Sequence, residues 1–594
     1  MKEPGRIVLA TGSGSTHEKI QIAKGVPADA EFNRIDSLPR RVWTNRQRDV
    51  ARKKLTARLQ KRNGKRELWE DQAVALAEIG WYGGTVCGIR VSGGKTTISF
   101  LAGTVLEDLP RPLLIAPSKS IKAGKVAAAY REERKYWRVR DDYAWISYHD
   151  LQSEGYANYL EQYRPGILIL DEAHHVGRYN SARTSRVAQY VKSHPKCAVI
   201  VLTGSVIASR VVDDSLNLCY WARREHSPLP LPSAKQCQRF WKLALDIPQR
   251  CGPGALRKWA KPNETTINAV GRRYTSTPGV VCSAGENVIG TSLAAHTELV
   301  RLVEPKTLAA FDHIRNGRRP DGTELLDTDG ANTWLTAQTL ALGFYYVYDP
   351  EPPSDWLDAY RNWCAYCREH IASSDCVCDT EKRVKQHIDL DGAECWPLDD
   401  WRLVQHKYRL HRKAIWLDKT RVEAAAKWMV HHKHGLVWVQ FRAFGQALSL
   451  VSKRPFYSGN AFAHREKRYI TAHAKTDGPA IASIKACSED LNLQHTFHQN
   501  LIPAPPATGA WDEQLLARTH RFGCDWPEVT ATFWLACAEN KKNMAVAVER
   551  EKRAAAMTGD GSRKLLIADW THDKLPALEG PQWTKVKIAK KAMK

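Results

Sequence analysis

From Glu67 onward, short apolar runs alternate with amphipathic helical stretches, and no other feature of this chain restricts its fold as strongly. Residues 85–91, 113–116, 167–170 and 198–202 are brief, rich in β-branched side chains and bounded by Gly, Pro or charge, so each predicts a buried strand. Strands joined through helical connections form a parallel sheet covered on both faces. Between 227 and 433 the alternation gives way to a mostly helical pattern broken by Pro and Gly, including Asp349-Pro350-Glu351-Pro352-Pro353. Strand signals return at 436–439 and near 482–484. The prediction is an α/β chain with two parallel-sheet units and a helical insertion between them. The expected boundaries are a basic N-terminal arm (1–66), a first unit (67–226), the insertion (227–433), a second unit (434–535) and a C-terminal helical extension with a basic tail (536–594).

At roughly 150 residues per domain, 594 residues allow two to four such units. No apolar run approaches the roughly 18–20 residues that span a bilayer, so no membrane association is expected. The short apolar run Ile7 to Ala10 is too brief for a signal peptide, and the expected compartment is the cytoplasm. In that reducing setting the 14 cysteines are expected as thiols. No fixed-period repeat supports a solenoid or propeller. The net charge of +24 implies an acidic, extended partner. Twelve Lys or Arg residues between Arg40 and Arg66, against one acid, Asp49, form a basic arm of helical character suited to a phosphate backbone. A solvated helix face is the plainer alternative. For the tail, with Lys585, Lys587, Lys590, Lys591 and Lys594, simple solvation is the expected reading.

Chemistry enters after the first strand, where Val91-Ser92-Gly93-Gly94-Lys95-Thr96-Thr97 leads into an apolar helical start. Strand, glycine loop, Lys-Thr and helix is the order a phosphate cradle requires. Small residues let backbone N–H groups point inward, Lys95 reaches the β/γ-phosphates and Thr96 offers a hydroxyl to Mg²⁺. The strict spacing fails at Ile89, since Gly88 stands one residue too early. An upstream glycine run, Gly12-Ser13-Gly14, has no lysine and reads as a turn. About 75 residues beyond the loop, the run 167–170 delivers Asp171-Glu172-Ala173-His174-His175 to the carboxyl edge of a parallel sheet, where open α/β sheets bind ligands. There Asp171 can hold Mg²⁺ and Glu172 can deprotonate an attacking water.

With those motifs the chain resembles superfamily 2 DEAD-like (DEAH-type) helicases and translocases of bacteriophage type, distant relatives of the Swi/Snf ATPases. The resemblance runs from about Leu68 to about Trp570 and implies two RecA-like lobes. It implies that Gln72, within Leu68-Trp69-Glu70-Asp71-Gln72, reads the adenine edge. It makes Pro117, Ser118 and Lys119 (motif Ia) and Asn492 (motif V, 488–494) nucleic-acid contacts. Thr203 and Ser205 (motif III) would couple the ATP site to the strand cleft, with His174 sensing the γ-phosphate or bridging to motif VI. Motif IV falls in Trp438-Val439-Gln440-Phe441. Motif VI is Gln514-Leu515-Leu516-Ala517-Arg518-Thr519-His520-Arg521; on a helix positions 514, 518 and 521 share a side, from which Arg518 and Arg521 would reach a γ-phosphate across the cleft. Ala517 and Ser488-Glu489-Asp490 depart from the family pattern, both where relatives carry glycine.

The nucleotide contacts expected are therefore Gln72, Ser92, Gly93, Gly94, Lys95, Thr96, Thr97 and Gln514, with ATP and Mg²⁺ as cofactors. The implied activity is ATP hydrolysis coupled to strand movement or unwinding on nucleic acid, with DNA, single-stranded or forked, favoured over RNA. The resemblance adds a role in phage DNA replication or recombination, with phage replication proteins as partners in a bacterial host cell. An ATP-gated binding or remodelling protein without true unwinding is the alternative. Cys364, Cys367, Cys376 and Cys378, with His370 among them, invite a zinc reading, but the second pair has one intervening residue and buried thiols are the expected role. Some of the 21 tryptophans could stack on unpaired bases, although core packing is the commoner use. His175 is assigned to packing as readily as to sensing.

Overall fold

The alternation of the first four strands carries through to a six-stranded sheet whose pairings are all parallel. The structure is a computed structural model. It describes residues 25–570 apart from 91–92, 178–180, 205–206, 208–210, 249, 284–289, 301, 303, 324–329, 373–379, 392–393, 490 and 507–508. In chain order the strands are β1 (Thr85–Gly88), β2 (Pro112–Ala116), β3 (Ala144–Ser147), β4 (Ile167–Asp171), β5 (Ala198–Leu202) and β6 (Val280–Cys282), and they lie in the order β3-β2-β4-β5-β1-β6. Successive side chains of a strand point to opposite faces, and here both faces are buried. Val86, Leu113, Leu168 and Val199 enter one apolar cluster, while Cys87, Leu114, Ile169 and Ile200 enter another on the far side.

The second sheet has seven strands, also parallel in every pairing: Phe456–Tyr457, Ala480–Ser483, Gly435–Val439, Gln499–Ile502, Glu528–Leu535, Ser292–Leu299 and Asp569–Trp570, in spatial order. It too is sandwiched between two clusters, with Leu436 and Trp438 on one side and Val437 and Val439 on the other. The expected α/β chain with two parallel-sheet lobes is what the structure has.

The boundaries differ from those read in the sequence. The first sheet ends at Cys282, past 226, and the second begins at Ser292, inside the stretch expected to be a mostly helical insertion. Strand Ser292–Leu299 pairs with Glu528–Leu535 over eight residues, so the helical segment grows from the second lobe's own first strand. Two further strands, Phe344–Tyr348 and Arg412–Trp416, form an antiparallel pair within that segment. These strands are short or half-buried, and their weak periodicity hid them among helices. Strand Asp569–Trp570 closes the second sheet's edge, so the C-terminal extension returns to the lobe it left.

The basic arm is no loose tail. Its helix Asn45–Leu59 opens with a reciprocal cap between Thr44 and Gln47 and packs on the helix Glu70–Tyr82. Much of its charge is paired: Arg41 with Glu78 (2.9 Å), Arg48 with Asp71 (3.3 Å), Arg52 with Asp49 (3.0 Å) and Arg66 with Glu132 (3.0 Å). Glu78, 1% exposed, also accepts from the Trp43 indole (2.8 Å) and the Gly279 amide (2.8 Å). Residues 41–66 are thereby part of the first lobe. Across the lobes, helix Thr266–Thr275 packs on helix Ala538–Thr558, where a Cβ on Gly271 would stand 2.0 Å from the Ala556 carbonyl oxygen. The upstream glycine run and the tail lysines lie outside the described residues. Among the described residues no helix is long and apolar enough to cross a membrane.

Candidate active site

β1 stops at Gly88, three residues sooner than predicted, because the chain turns there into the loop that ends at Gly94. Gly94 sits in the left-handed region (φ 75°) and begins the helix Lys95–Val105 with no side chain capping its first turn. The amide end of that helix therefore faces the carboxyl edge of the sheet with its partial positive charge available to an anion. Gly93 is buried, and a Cβ there would stand 2.4 Å from Ile89 Cγ2, so neither glycine of the loop tolerates a side chain. Ser92 lies outside the described residues. Thr96 is exposed on the first turn, and Thr97 lines the adjoining cavity.

Lys95, with its side chain 10% exposed, turns back over the loop. Its Nζ donates to the Ile89 carbonyl (3.3 Å) and stands 3.6 Å from Glu172 Oε1. Glu172 reaches that position from a left-handed backbone (φ 49°) just past β4, its amide held by Asp171 Oδ1 at 3.1 Å. Burial opposes its charge, but Lys95 and His174 outweigh that and hold the carboxyl at about 2. His174 Nδ1 lies 3.5 Å from Glu172 Oε2 and 3.4 Å from Thr203 Oγ1, while its Nε2 faces Glu489 Oε1 at 3.8 Å. Burial would lower the His174 pKa; the two carboxylates reverse this and raise it to about 9. Glu489, in turn, stays well below the usual carboxylate range, because His174 and His175 override the effect of its burial. Four charges of alternating sign thus run from the glycine loop of the first lobe to Glu489 of the second. The resemblance offered a bridge from His174 to motif VI; the described partners of its Nε2 include Glu489 of the 488–494 segment instead.

The chain just before that segment is held from a second point. Lys119 Nζ donates to the carbonyls of Lys485 (3.1 Å) and Ala486 (2.9 Å). The expected nucleic-acid contact is therefore occupied, in this arrangement, by backbone of the opposite lobe. Ser118 is half-buried beside it, Pro117 is buried, and Asn492 is exposed on the second lobe.

Arg518 and Arg521 converge although the predicted helix is shorter than they need. It spans Gly509–Thr519, and Arg521 lies beyond its end in a turn closed by the Cys524 amide on the Arg521 carbonyl. Both guanidiniums nonetheless donate to Leu491 O at 3.2 Å, and Arg521 also holds Asn492 Oδ1. Burial and the neighbouring Arg518 lower Arg521 to about 10, still cationic at neutral pH. Their described bonds stay within the second lobe, two to three residues from the Glu489 contact. Gln514 is buried on the same helix, and Arg518 Nε donates to its carbonyl (3.0 Å).

Beside the loop opens a cavity of about 770 Å³ lined by Arg52, Arg66, Trp69, Gln72, Gly94 and Thr97. Trp69 is 51% exposed. Gln72, expected to read adenine, spends both ends of its amide on the protein: Nε2 donates to Gly94 O (3.2 Å) and Oε1 accepts from the Trp69 amide (2.8 Å). Two arginines assigned from sequence to a nucleic-acid arm thus flank the cavity. The residues sequence reasoning missed are Trp69 and Glu489, both inside quoted motifs, and Lys564. Lys564 is 5% exposed, and its ammonium contacts His520 Nδ1 (3.0 Å). Burial brings it down to about 8, with Arg90 of the glycine loop and Arg521 adding to that shift against Glu513 and Asp560. Ser205 and Asp490 lie outside the described residues, as do Cys376 and Cys378; Cys367 is a buried thiol on helix Ser354–Ala372, with Cys364 one turn before it.

No protein-family model and no curated protein matches the chain.

Proposed function

We propose that the chain is an ATP-dependent motor on nucleic acid, DNA favoured, in which hydrolysis between the two lobes drives strand movement or unwinding. The observation that carries this reading is the line Lys95–Glu172–His174–Glu489, which joins a phosphate-binding loop to the opposite lobe through direct charge contacts. Lys95 and the uncapped amide end of its helix would hold the phosphates. Thr96 and Asp171 are oxygen donors of the kind Mg²⁺ takes, and the ion, when bound, offsets charge on the phosphates. Glu172, ionised at neutral pH, would orient the attacking water, and it becomes a stronger base once a phosphate draws Lys95 away from it. Arg518 and Arg521 would swing from Leu491 onto the transferred phosphoryl group as the lobes close. Trp69, open to the cavity, offers a face for a base.

The experiment is steady-state ATP turnover measured with single-stranded, duplex and forked DNA and with RNA. Lys95→Ala and Glu172→Gln are each expected to abolish strand-stimulated hydrolysis, by about 10²-fold or more. Normal turnover in either folded variant overturns the reading. Stimulation by RNA alone would move the track from DNA, and turnover without displacement on forks would favour remodelling over unwinding.

A further inference from the structure

Three ligand-bearing side chains meet where the lobes touch, and none of them is needed to hold phosphate. His174 and His175 lie at the end of β4, and Glu489 comes across from the second lobe. Their donor atoms all fall within 4.8 Å of one another. His175 Nε2 is enclosed by protein yet has no hydrogen-bond partner, its nearest acidic oxygen being Glu489 Oε2 at 3.6 Å. A buried imidazole nitrogen without a partner is costly unless something fills the gap. His174 Nε2 stands 3.8 Å from the other oxygen of the same carboxylate.

We propose that His174, His175 and Glu489 form a binding site for a zinc-type divalent transition metal that ties the two lobes together. Two ligands at zinc bond lengths in a tetrahedron lie about 3.4 Å apart; the two His–Glu489 edges are 3.6 and 3.8 Å, to different oxygens of the carboxylate, and all three donor atoms lie within 4.8 Å, so the side chains must draw in by up to about 1.4 Å to share one ion. Two imidazoles and one carboxylate suit Zn²⁺, Co²⁺ or Ni²⁺ and are a poor set for Mg²⁺, which takes oxygen. The second layer is also of the usual kind. The far nitrogen of His174 faces Glu172 Oε2 and Thr203 Oγ1, as a metal-bound histidine's other nitrogen faces a carboxylate or another polar oxygen. Three protein ligands leave one position for water. Because one ligand belongs to the second lobe, the ion would hold the crevice shut. The site stands whether or not the crevice hydrolyses ATP, since binding itself is measured.

The test is titration of the metal-free full chain with Co²⁺, followed by visible absorption. One equivalent is expected to give the d–d bands of a four- or five-coordinate ion, to be displaced by Zn²⁺ and to be unaffected by millimolar Mg²⁺. His175→Ala and the isosteric Glu489→Gln are each expected to weaken Co²⁺ binding by at least tenfold, with unchanged near-ultraviolet circular dichroism in the metal-free state; Glu489→Gln alone decides if His175→Ala does not fold. Absent bands, or bands that survive Glu489→Gln, overturn the proposal. So does a sulfur-to-cobalt charge-transfer band, which would place the ion at cysteines.

Discussion

A methyl group at Gly94 tests the geometry of the loop directly. Alanine there must adopt φ near 75°, the left-handed conformation, at a cost of about 1–2 kcal/mol. Its Cβ would also stand 2.0 Å from Gln72 Nε2, so the amide has to leave. Leaving breaks the bond to Gly94 O and the bond from the Trp69 amide, each worth about 1 kcal/mol. Gly94→Ala is thus expected to destabilise the first turn of helix Lys95–Val105 by about 3–4 kcal/mol. In a Gln72→Ala background only the backbone term remains, about 1–2 kcal/mol. The double-mutant cycle should therefore return a coupling of about 2 kcal/mol. Native-state hydrogen exchange of the amides in Lys95–Val105 reads local opening without assuming that a two-lobed chain unfolds in one step. Equal costs in both backgrounds would show that Gln72 does not press on the glycine. A cost below about 0.5 kcal/mol in both would refute the left-handed assignment as well.

Three further outcomes are expected. Arg563→Met leaves Glu551, 1% exposed and now paired at 2.7 Å, as an uncompensated buried charge, and should cost about 3–5 kcal/mol in the opening of helix Ala538–Thr558 read by native-state hydrogen exchange; a cost under about 1 kcal/mol would mean that water or another cation reaches it. Gly271→Ala should loosen the packing of Thr266–Thr275 on Ala538–Thr558, seen as faster proteolysis within 538–558, despite alanine's better helix propensity; unchanged cleavage would mean that the Ala556 carbonyl can yield. His520 donates Nε2–H to the Thr291 carbonyl (2.8 Å) and takes the Lys564 ammonium on Nδ1, so burial and then Lys564 hold its pKa at about 4. The unfolded chain, at about 6.5, protonates first, so this stability is whole above pH 6.5 and is lost as pH falls toward 4, up to about 3 kcal/mol; a His520→Gln variant with the same acid slope as the parent would contradict it.

How much of this was legible in the sequence depends on how local the signal was. Strand 198–202 was read to the residue, because five apolar positions between Lys196 and Gly204 have no other way to be buried. Strand 292–299 was missed: its exposed Ser292, Glu298 and Leu299 dilute the pattern, and its partner lies over 230 residues away. The basic arm was read as a phosphate contact because charge is visible in sequence while its partners, Glu78 and Asp71 on a different helix, are not. Lys95 and Thr96 were placed from sequence at a helix start behind a glycine loop, and Asp171 and Glu172 at the carboxyl end of a strand, because in both places the turn of the chain is written in adjacent residues. Glu489 was read as a defect in a glycine motif, and its use appears only when the second sheet brings it against His174.

That defect bears on how the proposed motor would be gated. A glycine at 489 would leave the His174 imidazole with Glu172 and Thr203, all within one lobe, and the second lobe would take no part in the charge balance around Glu172. With glutamate there, the first lobe's histidines have a fixed anion on the second, and Lys119 grips the backbone three to four residues earlier. Both contacts bear on the 485–489 segment, so they form or break together as the lobes move. On the proposed reading a phosphate arriving at Lys95 draws the ammonium away from Glu172, which leaves His174 as that carboxylate's nearest cation and strengthens their pairing. As the imidazole is drawn toward Glu172, its separation from Glu489 grows and the attraction across the lobes falls with distance. A strand phosphate competing for Lys119 acts on the same segment from the other side. Nucleotide and strand would thus both loosen the hold on 485–489, which gives each ligand a physical means of altering the other's affinity through contacts that already exist between the lobes.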